Sequence, residues 1–219
     1  MRFFLCTLLA ALLLPLSARS EVLEEIHFQY RDGLIWLKVN IAGKSKPLNF
    51  LLDSGAGISA IDLRTARTLG VLLGNRQIVL GVNGQGIAFQ VNDLHAVCAG
   101  VALPKTVLAV DLRALSDCCE QPVDGILGAD FFRSRIVQID FRDCRVRILE
   151  RCDPNLAKCE ILPIRMCNDA FCVPVRVAGN SEQWMRLDTG SDAALEWVVG
   201  GTETRRTGQS SIGLSGVSA

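Results

Sequence analysis

Two aspartates in this 219-residue chain are presented in the same way. Leu48-Asn49-Phe50-Leu51-Leu52 runs into Asp53-Ser54-Gly55-Ala56-Gly57, and Trp184-Met185-Arg186-Leu187 runs into Asp188-Thr189-Gly190. A short apolar run reads as a buried strand, and a glycine soon after the acid permits a tight turn. A carboxylate delivered from such a strand is unfavourable unless it is hydrogen-bonded or opens into a cleft. At ordinary composition an Asp-[Ser/Thr]-Gly triplet arises by chance about 0.1 times in a chain of this length. Two copies, each behind an apolar run, point to two carboxylates that meet, and paired carboxylates are a means of acid–base chemistry.

The elements that must position them can be read in order. Met1–Ser20 reads as a signal peptide, with Arg2 as its positive end, Phe3 to Leu16 as its apolar stretch and Ala18-Arg19-Ser20 as a small-x-small cleavage site. That apolar stretch is too short to span a bilayer comfortably, and no later run is longer. The expectation is an exported protein, periplasmic or secreted, with no stable membrane insertion once the leader is removed. Of the 23 Lys+Arg and 23 Asp+Glu, Arg2 and Arg19 leave with the leader, so 21 basic residues face 23 acidic ones. No basic stripe appears, which excludes nucleic acid as an expected partner. About 200 residues suffice for one large or two small domains.

Eight cysteines follow the leader: Cys98, Cys118, Cys119, Cys144, Cys152, Cys159, Cys167 and Cys172. An even number in an exported chain favours disulfides over a zinc site, since no C-x-x-C occurs and His27 and His95 lie far apart. Cys167 and Cys172 flank a tight turn at a spacing that would let them bridge. No metal and no cofactor is expected.

Ile26–Tyr30, an Arg31-Asp32-Gly33 turn and Leu34–Ile41 read as a hairpin. Ile58–Ile61 reads as a short strand, and Asp62 as the cap of a helix ending at Leu69 with Gly70 as its stop. Gln77–Leu80 and Ile87–Val91 flank a glycine-rich tip from Gly81 to Gly86. Strand on both sides of that tip argues against a dinucleotide fingerprint. Gly125-Ile126-Leu127-Gly128 precedes a short helical piece, Ile136–Leu149 reads as a closing hairpin, and residues 151–160 read as a linker. Beyond it the first segment repeats. Arg31-Asp32-Gly33 aligns with Cys167-Asn168-Asp169, Ile41-Ala42-Gly43 with Val177-Ala178-Gly179, and, after a one-residue gap, Asp53 with Asp188. Ser59-Ala60-Ile61 aligns with Ala193-Ala194-Leu195. The sequence reaches Ala219 where the first copy has reached its glycine-rich hairpin, so residues 161–219 are expected to be the start of a second, incomplete lobe.

In the order of these parts, the chain resembles the pepsin/retropepsin class of aspartic proteases, and bacterial two-lobe retropepsin-like proteins in particular. The first lobe, residues 21–150, carries the resemblance through Leu51-Leu52-Asp53-Ser54-Gly55-Ala56, the hairpin around Gly84, and Gly125-Ile126-Leu127-Gly128. A pepsin-like flap carries a tyrosine; here the only tyrosine is Tyr30, which places the chain on the retropepsin side. The resemblance implies a mainly β fold, an acid-protease β-barrel lobe followed by a truncated lobe of the same kind. It implies Asp53 and Asp188 as a catalytic dyad that activates water to cleave peptide bonds. Ser54, Gly55, Thr189 and Gly190 would support the dyad, and Asn83, Gly84, Gln85 and Gly86 would form a flap over an extended peptide or protein substrate. In that family the Gly125–Gly128 segment buttresses the aspartate loop from beneath. The alternatives are an inactive, binding-only relative, a homodimer of first lobes that each contribute Asp53, and a disulfide-stapled structural β-protein.

Overall fold

The aspartate-bearing strand is apolar on both faces because it runs through the middle of a sheet that packs a core on each side. In the structure, a computed structural model, residues 21–81, 84–152, 159–177, 179–193 and 214–217 are described. The leader, Asn83, the linker residues 153–158, and Ala194, Leu195 and Trp197 lie outside them. The fold is mainly β, as expected.

The chain opens with β1 (Val22–His27), β2 (Gln29–Arg31), β3 (Leu34–Ile41) and β4 (Leu48–Leu52). Next come β5 (Ala60–Asp62), helix α1 (Leu63–Leu69), and the hairpin of β6 (Arg76–Gly81) and β7 (Gly84–Val91). They are followed by β8 (Ala96–Cys98), β9 (Val101–Ala102), β10 (Val107–Val110) and α2 (Arg113–Ser116). The segment closes with β11 (Gly125–Leu127), α3 (Ala129–Phe132), β12 (Ile136–Asp140) and β13 (Arg145–Leu149). Beyond the linker lie β14 (Arg165–Cys167), β15 (Ala170–Val175), β16 (Gln183–Arg186) and β17 (Leu214–Val217).

One large sheet runs in the order β17-β6-β7-β10-β5-β11-β4-β3-β8-β9, with β2 on β3. Alternation along β3 sends Ile35, Leu37 and Val39 into one core with Phe50, Leu52, Leu127 and Phe131. Leu34 and Trp36 turn to the other face and join Leu51, Ala60, Leu108 and Ile126. The strand β11 lies between β4 and β5, parallel to the first and antiparallel to the second. Its Gly125 is a packing requirement, since a Cβ there would fall 2.3 Å from the Phe50 ring and 2.7 Å from the Ala60 carbonyl.

Local chemistry fixes α1 as expected. Asp62 caps it by accepting from the Arg64 and Thr65 amides, and Gly70 ends it in the left-handed region at φ 73°. The expected first hairpin is different. Only Gln29–Arg31 pairs with β3; Val22–His27 pairs antiparallel with β13, in a separate sheet ordered β1-β13-β12. Arg147 and Arg145 both donate to the Glu25 carboxylate and lock that pairing. The glycine-rich tip is also shorter than expected, because Gly84, Gln85 and Gly86 continue β7 and pair with Gly81, Leu80 and Val79.

The repeat is visible in the pairing register. On β2 and β3, Gln29 faces Trp36 and Arg31 faces Leu34; on β14 and β15, Arg165 faces Cys172 and Cys167 faces Ala170. Trp36 then faces Leu51 on β4, as Cys172 faces Arg186 on β16. The turns match as well, with Asp32 and Gly33 at φ 51° and 77° and Asn168 and Asp169 at 47° and 63°, the paired left-handed residues of a two-residue hairpin. Cys167 and Cys172 carry free thiols, as do the other six cysteines expected to form disulfides, so the anticipated staples are not formed in this structure. Among the described residues no helix is long and apolar enough to cross a membrane.

Candidate active site

The strand β4 ends at Leu52, and the chain must turn at once, since β11 and β3 occupy both sides. The Asp53 amide donates to the Leu127 carbonyl at 2.9 Å, and the Ala129 amide donates back to Ala56 at 2.6 Å. The turn is thus tied to β11 and α3 at both ends. Ser59 adds a further tie. Its hydroxyl donates to Asp130 at 2.6 Å and accepts from the Gly128 amide at 3.0 Å, while its amide donates to Asp130 at 3.0 Å. Within this frame Asp53 is fully buried, and its Oδ1 accepts from the Gly55 amide at 2.9 Å and the Ala56 amide at 3.0 Å.

Asp188 follows β16 in the same manner, its Oδ1 accepting from the Gly190 amide at 2.8 Å. The two turns are stitched together by their hydroxyls. Thr189 Oγ1 donates to the Leu52 carbonyl at 2.8 Å and accepts from the Ser54 amide at 3.0 Å. Reciprocally, Ser54 Oγ donates to the Leu187 carbonyl at 2.6 Å and accepts from the Thr189 amide at 3.1 Å. Each hydroxyl both gives and receives, so four backbone groups at the seam are satisfied by two side chains.

This lattice brings the carboxyl groups together. A Cβ added to Gly55 would lie 2.3 Å from Asp188 Cγ, and one added to Gly190 would lie 2.4 Å from Asp53 Cγ. Each glycine is therefore the floor on which the opposite carboxyl rests. Asp53 Oδ2 is buried and meets no N–H or O–H donor, and the charge of Asp188 acts on the same carboxyl. Two carboxylates in that position repel each other, and a proton between them removes the conflict. Burial, then the charge of Asp188 and a hydrogen bond to it, hold the Asp53 carboxyl well above its usual range, against the opposing pull of the Ala56 and Gly55 amides. The proton belongs to the pair.

Six of the residues singled out by type and spacing thus converge: Asp53, Ser54, Gly55, Asp188, Thr189 and Gly190. The glycine-rich hairpin is not part of that convergence. Gly84, Gln85 and Gly86 are exposed on β7, and a Cβ at Gly84 would meet nothing within 4 Å. The Ala56 amide, and the Ser59–Asp130 tie that steadies the loop, are additions that the sequence does not announce. Neither has a mark of its own, since an amide is common to every residue and a Ser–Asp pair 71 positions apart belongs to no local pattern.

Residues 37–131 match the sequence model of the aspartyl protease family. Among solved structures, the chain is similar to the retroviral protease-like domain of Ddi1 from Leishmania major. Identity is 20% and the TM-score 0.35, over 54% of this chain and 95% of that one. It is similar also to a retropepsin-like aspartic protease from Rickettsia conorii, again at 20% identity and a TM-score of 0.35, over 59% of this chain and 92% of the other. No curated protein matches the chain.

Proposed function

We propose that this protein is an aspartic endopeptidase in which Asp53 and Asp188 act as one dyad on a water molecule. The observation that carries the reading is the buried Oδ2 of Asp53, which meets no N–H or O–H donor, in a turn packed against that of Asp188. With one proton between two carboxyls, one acts as general base on a water and the other donates to the peptide carbonyl. As the water attacks, its proton passes to the base, and the tetrahedral carbon then expels the amine as that group takes up a proton. The Gly55, Ala56 and Gly190 amides hold the inner oxygens, so the outer ones are those left to react.

The substrate in this reading is an extended peptide or unfolded protein lying across the seam between residues 21–150 and the lobe that begins at residue 161. The hairpin of β6 and β7, tip included, closes over it and excludes water. The leader directs the protein to the periplasm or the exterior.

The test is cleavage of an unfolded protein at acid pH by the full chain and by Asp53→Asn. The variant keeps the shape of the side chain but cannot serve as base or share the proton, so the rate should fall by about 10³-fold. Unchanged cleavage by Asp53→Asn would sink the proposal.

A further inference from the structure

We infer that the surface carrying the dyad is coded for a pairing between unlike repeats, first with second, and against either repeat meeting a copy of itself. This rests on the reading of Asp53 and Asp188 as one site, and it concerns what assembles that site. The hydroxyl lattice does not choose the partner, because Ser54 and Thr189 play the same part and either could face its own kind. The choice is made beside it, at two contacts related by the repeat.

The register that sets β14 and β15 on β2 and β3 places Asp169 where the first repeat has Gly33. The alignment that sets Asp188 on Asp53 places Asp192 where the first repeat has Gly57. In the structure these four residues meet crosswise. A Cβ on Gly33 would lie 2.9 Å from Asp192 Cα, and a Cβ on Gly57 would lie 2.8 Å from Asp169 Cβ. At both contacts a glycine of the first repeat makes room for an aspartate of the second. Gly33 and Asp169 share a left-handed backbone, at φ 77° and 63°, so the side chain alone distinguishes them.

The surroundings reinforce the asymmetry. Arg133 donates to Asp169 Oδ1 at 3.3 Å and to its carbonyl at 3.4 Å, and the Phe132 and Phe171 rings meet edge to face at 6.1 Å. Two first repeats would set glycine against glycine, leaving gaps where side chains should fill and Arg133 facing no carboxylate. Two second repeats would set Asp169 against Asp192 twice over, in contacts too tight for two side chains and with like charges opposed. Only the unlike pair fills the space once and gives the arginine its partner.

The experiment is a double-mutant cycle on the full chain, read first as thermal stability and then as cleavage. Gly57→Asp puts a second carboxylate where Asp169 already stands, and its backbone is not in the left-handed region. The melting temperature should fall by about 5 °C or more, as overpacking of this severity does in a chain of this size. Cleavage should fall at least tenfold. Adding Asp169→Gly clears the space and leaves Asn168 followed by a glycine, a favoured pair for a two-residue hairpin turn. It should restore most of both losses by moving the aspartate across the seam. Gly57→Ala isolates the steric part and should show a smaller loss with the same relief.

An unchanged melting temperature in Gly57→Asp and Gly57→Ala, or no recovery on adding Asp169→Gly, would overturn the inference. So would an Asp188→Asn variant that cleaves normally while Asp53→Asn is dead, the mark of two first repeats pairing; aspartate catalysis would then stand without this partner. Normal cleavage by both Asn variants would remove the catalytic reading, and the stability cycle would still decide the pairing.

Discussion

The loops of Asp53 and Asp188 leave equivalent strands in the same register, but one is walled in and the other leans on it. Asp53 follows a strand flanked on both sides by β3 and β11, its carboxyl is fully buried, and two amides hold its inner oxygen. Asp188 follows β16, which lies at the edge of the β14-β15-β16 sheet among the described residues; its carboxyl is half-buried, and Gly190 supplies the amide. Among the described residues, the second loop is held by its own β15, through the Leu187 amide on the Phe171 carbonyl at 2.8 Å, and by the first loop, through Ser54 and Thr189. A pair of like turns can thus be held by unlike means, a rigid frame on one side and a hydrogen-bonded seam on the other.

Breaking the frame should have the largest effect. Gly128 has φ −88°, which any residue adopts, so the reason for glycine there is space. A Cβ would lie 2.7 Å from the Ile58 carbonyl carbon and 2.8 Å from the Ala56 carbonyl oxygen, both backbone atoms of the Asp53 loop. Gly128→Ala should therefore destabilise the fold by about 3 kcal/mol, lowering the melting temperature by roughly 6–12 °C, and should depress cleavage further by displacing Asp53. A variant as stable as the parent would mean that the frame yields easily and that the contrast between the loops is overdrawn.

Next in size is the dependence of stability on pH. Burial, followed by the charge of Asp188, raises the Asp53 carboxyl above its usual range. For a group whose folded value is raised, its stabilising contribution is full below the unfolded value, about pH 4 for an aspartate. It is lost as the pH climbs through the folded value. Asp53→Asn cannot ionise, so its melting temperature should gain on that of the parent as the pH is raised from about 4 toward neutral. A constant difference across that range would show that Asp53 ionises as freely in the fold as in the unfolded chain.

Much of this frame is legible in the sequence, and the gaps have physical causes. An apolar run ending in Asp-Ser-Gly identifies β4 and its turn, and Asp62 and Gly70 bracket α1, because caps and tight turns depend on neighbours in the chain. Alternation along Val22–His27 identifies a strand but is silent on its partner, which Glu25 selects by pairing with Arg145 and Arg147, 120 and 122 residues away. Glycine richness suggests a loose tip, whereas Gly84 and Gly86 are strand residues, since lacking a side chain does not prevent backbone pairing. Cysteine spacing locates the Cys167–Cys172 hairpin, although its thiols stay unbridged here. The meeting of Gly55 with Asp188 and of Gly190 with Asp53 follows from the repeat, while the crosswise Gly33, Gly57, Asp169 and Asp192 contacts do not. An alignment places these residues opposite one another in sequence, and only the folded seam shows that they touch.

The smallest effect belongs to the seam, and it separates hydrogen bonding from shape. Thr189→Val keeps the volume of the side chain but removes the donor to Leu52 and the acceptor for the Ser54 amide. Losing these bonds and leaving part-buried groups without partners should destabilise by about 1–2 kcal/mol, a change of roughly 2–8 °C in a chain of this size. Thr189→Ser retains the hydroxyl and should recover most of that loss. Cleavage should fall more than stability does, because the seam is what carries the rigidity of the first loop across to Asp188, and small errors of placement weigh heavily on a shared proton. If valine and serine behaved alike, the hydroxyl would be incidental and Asp188 would be held by its own repeat alone.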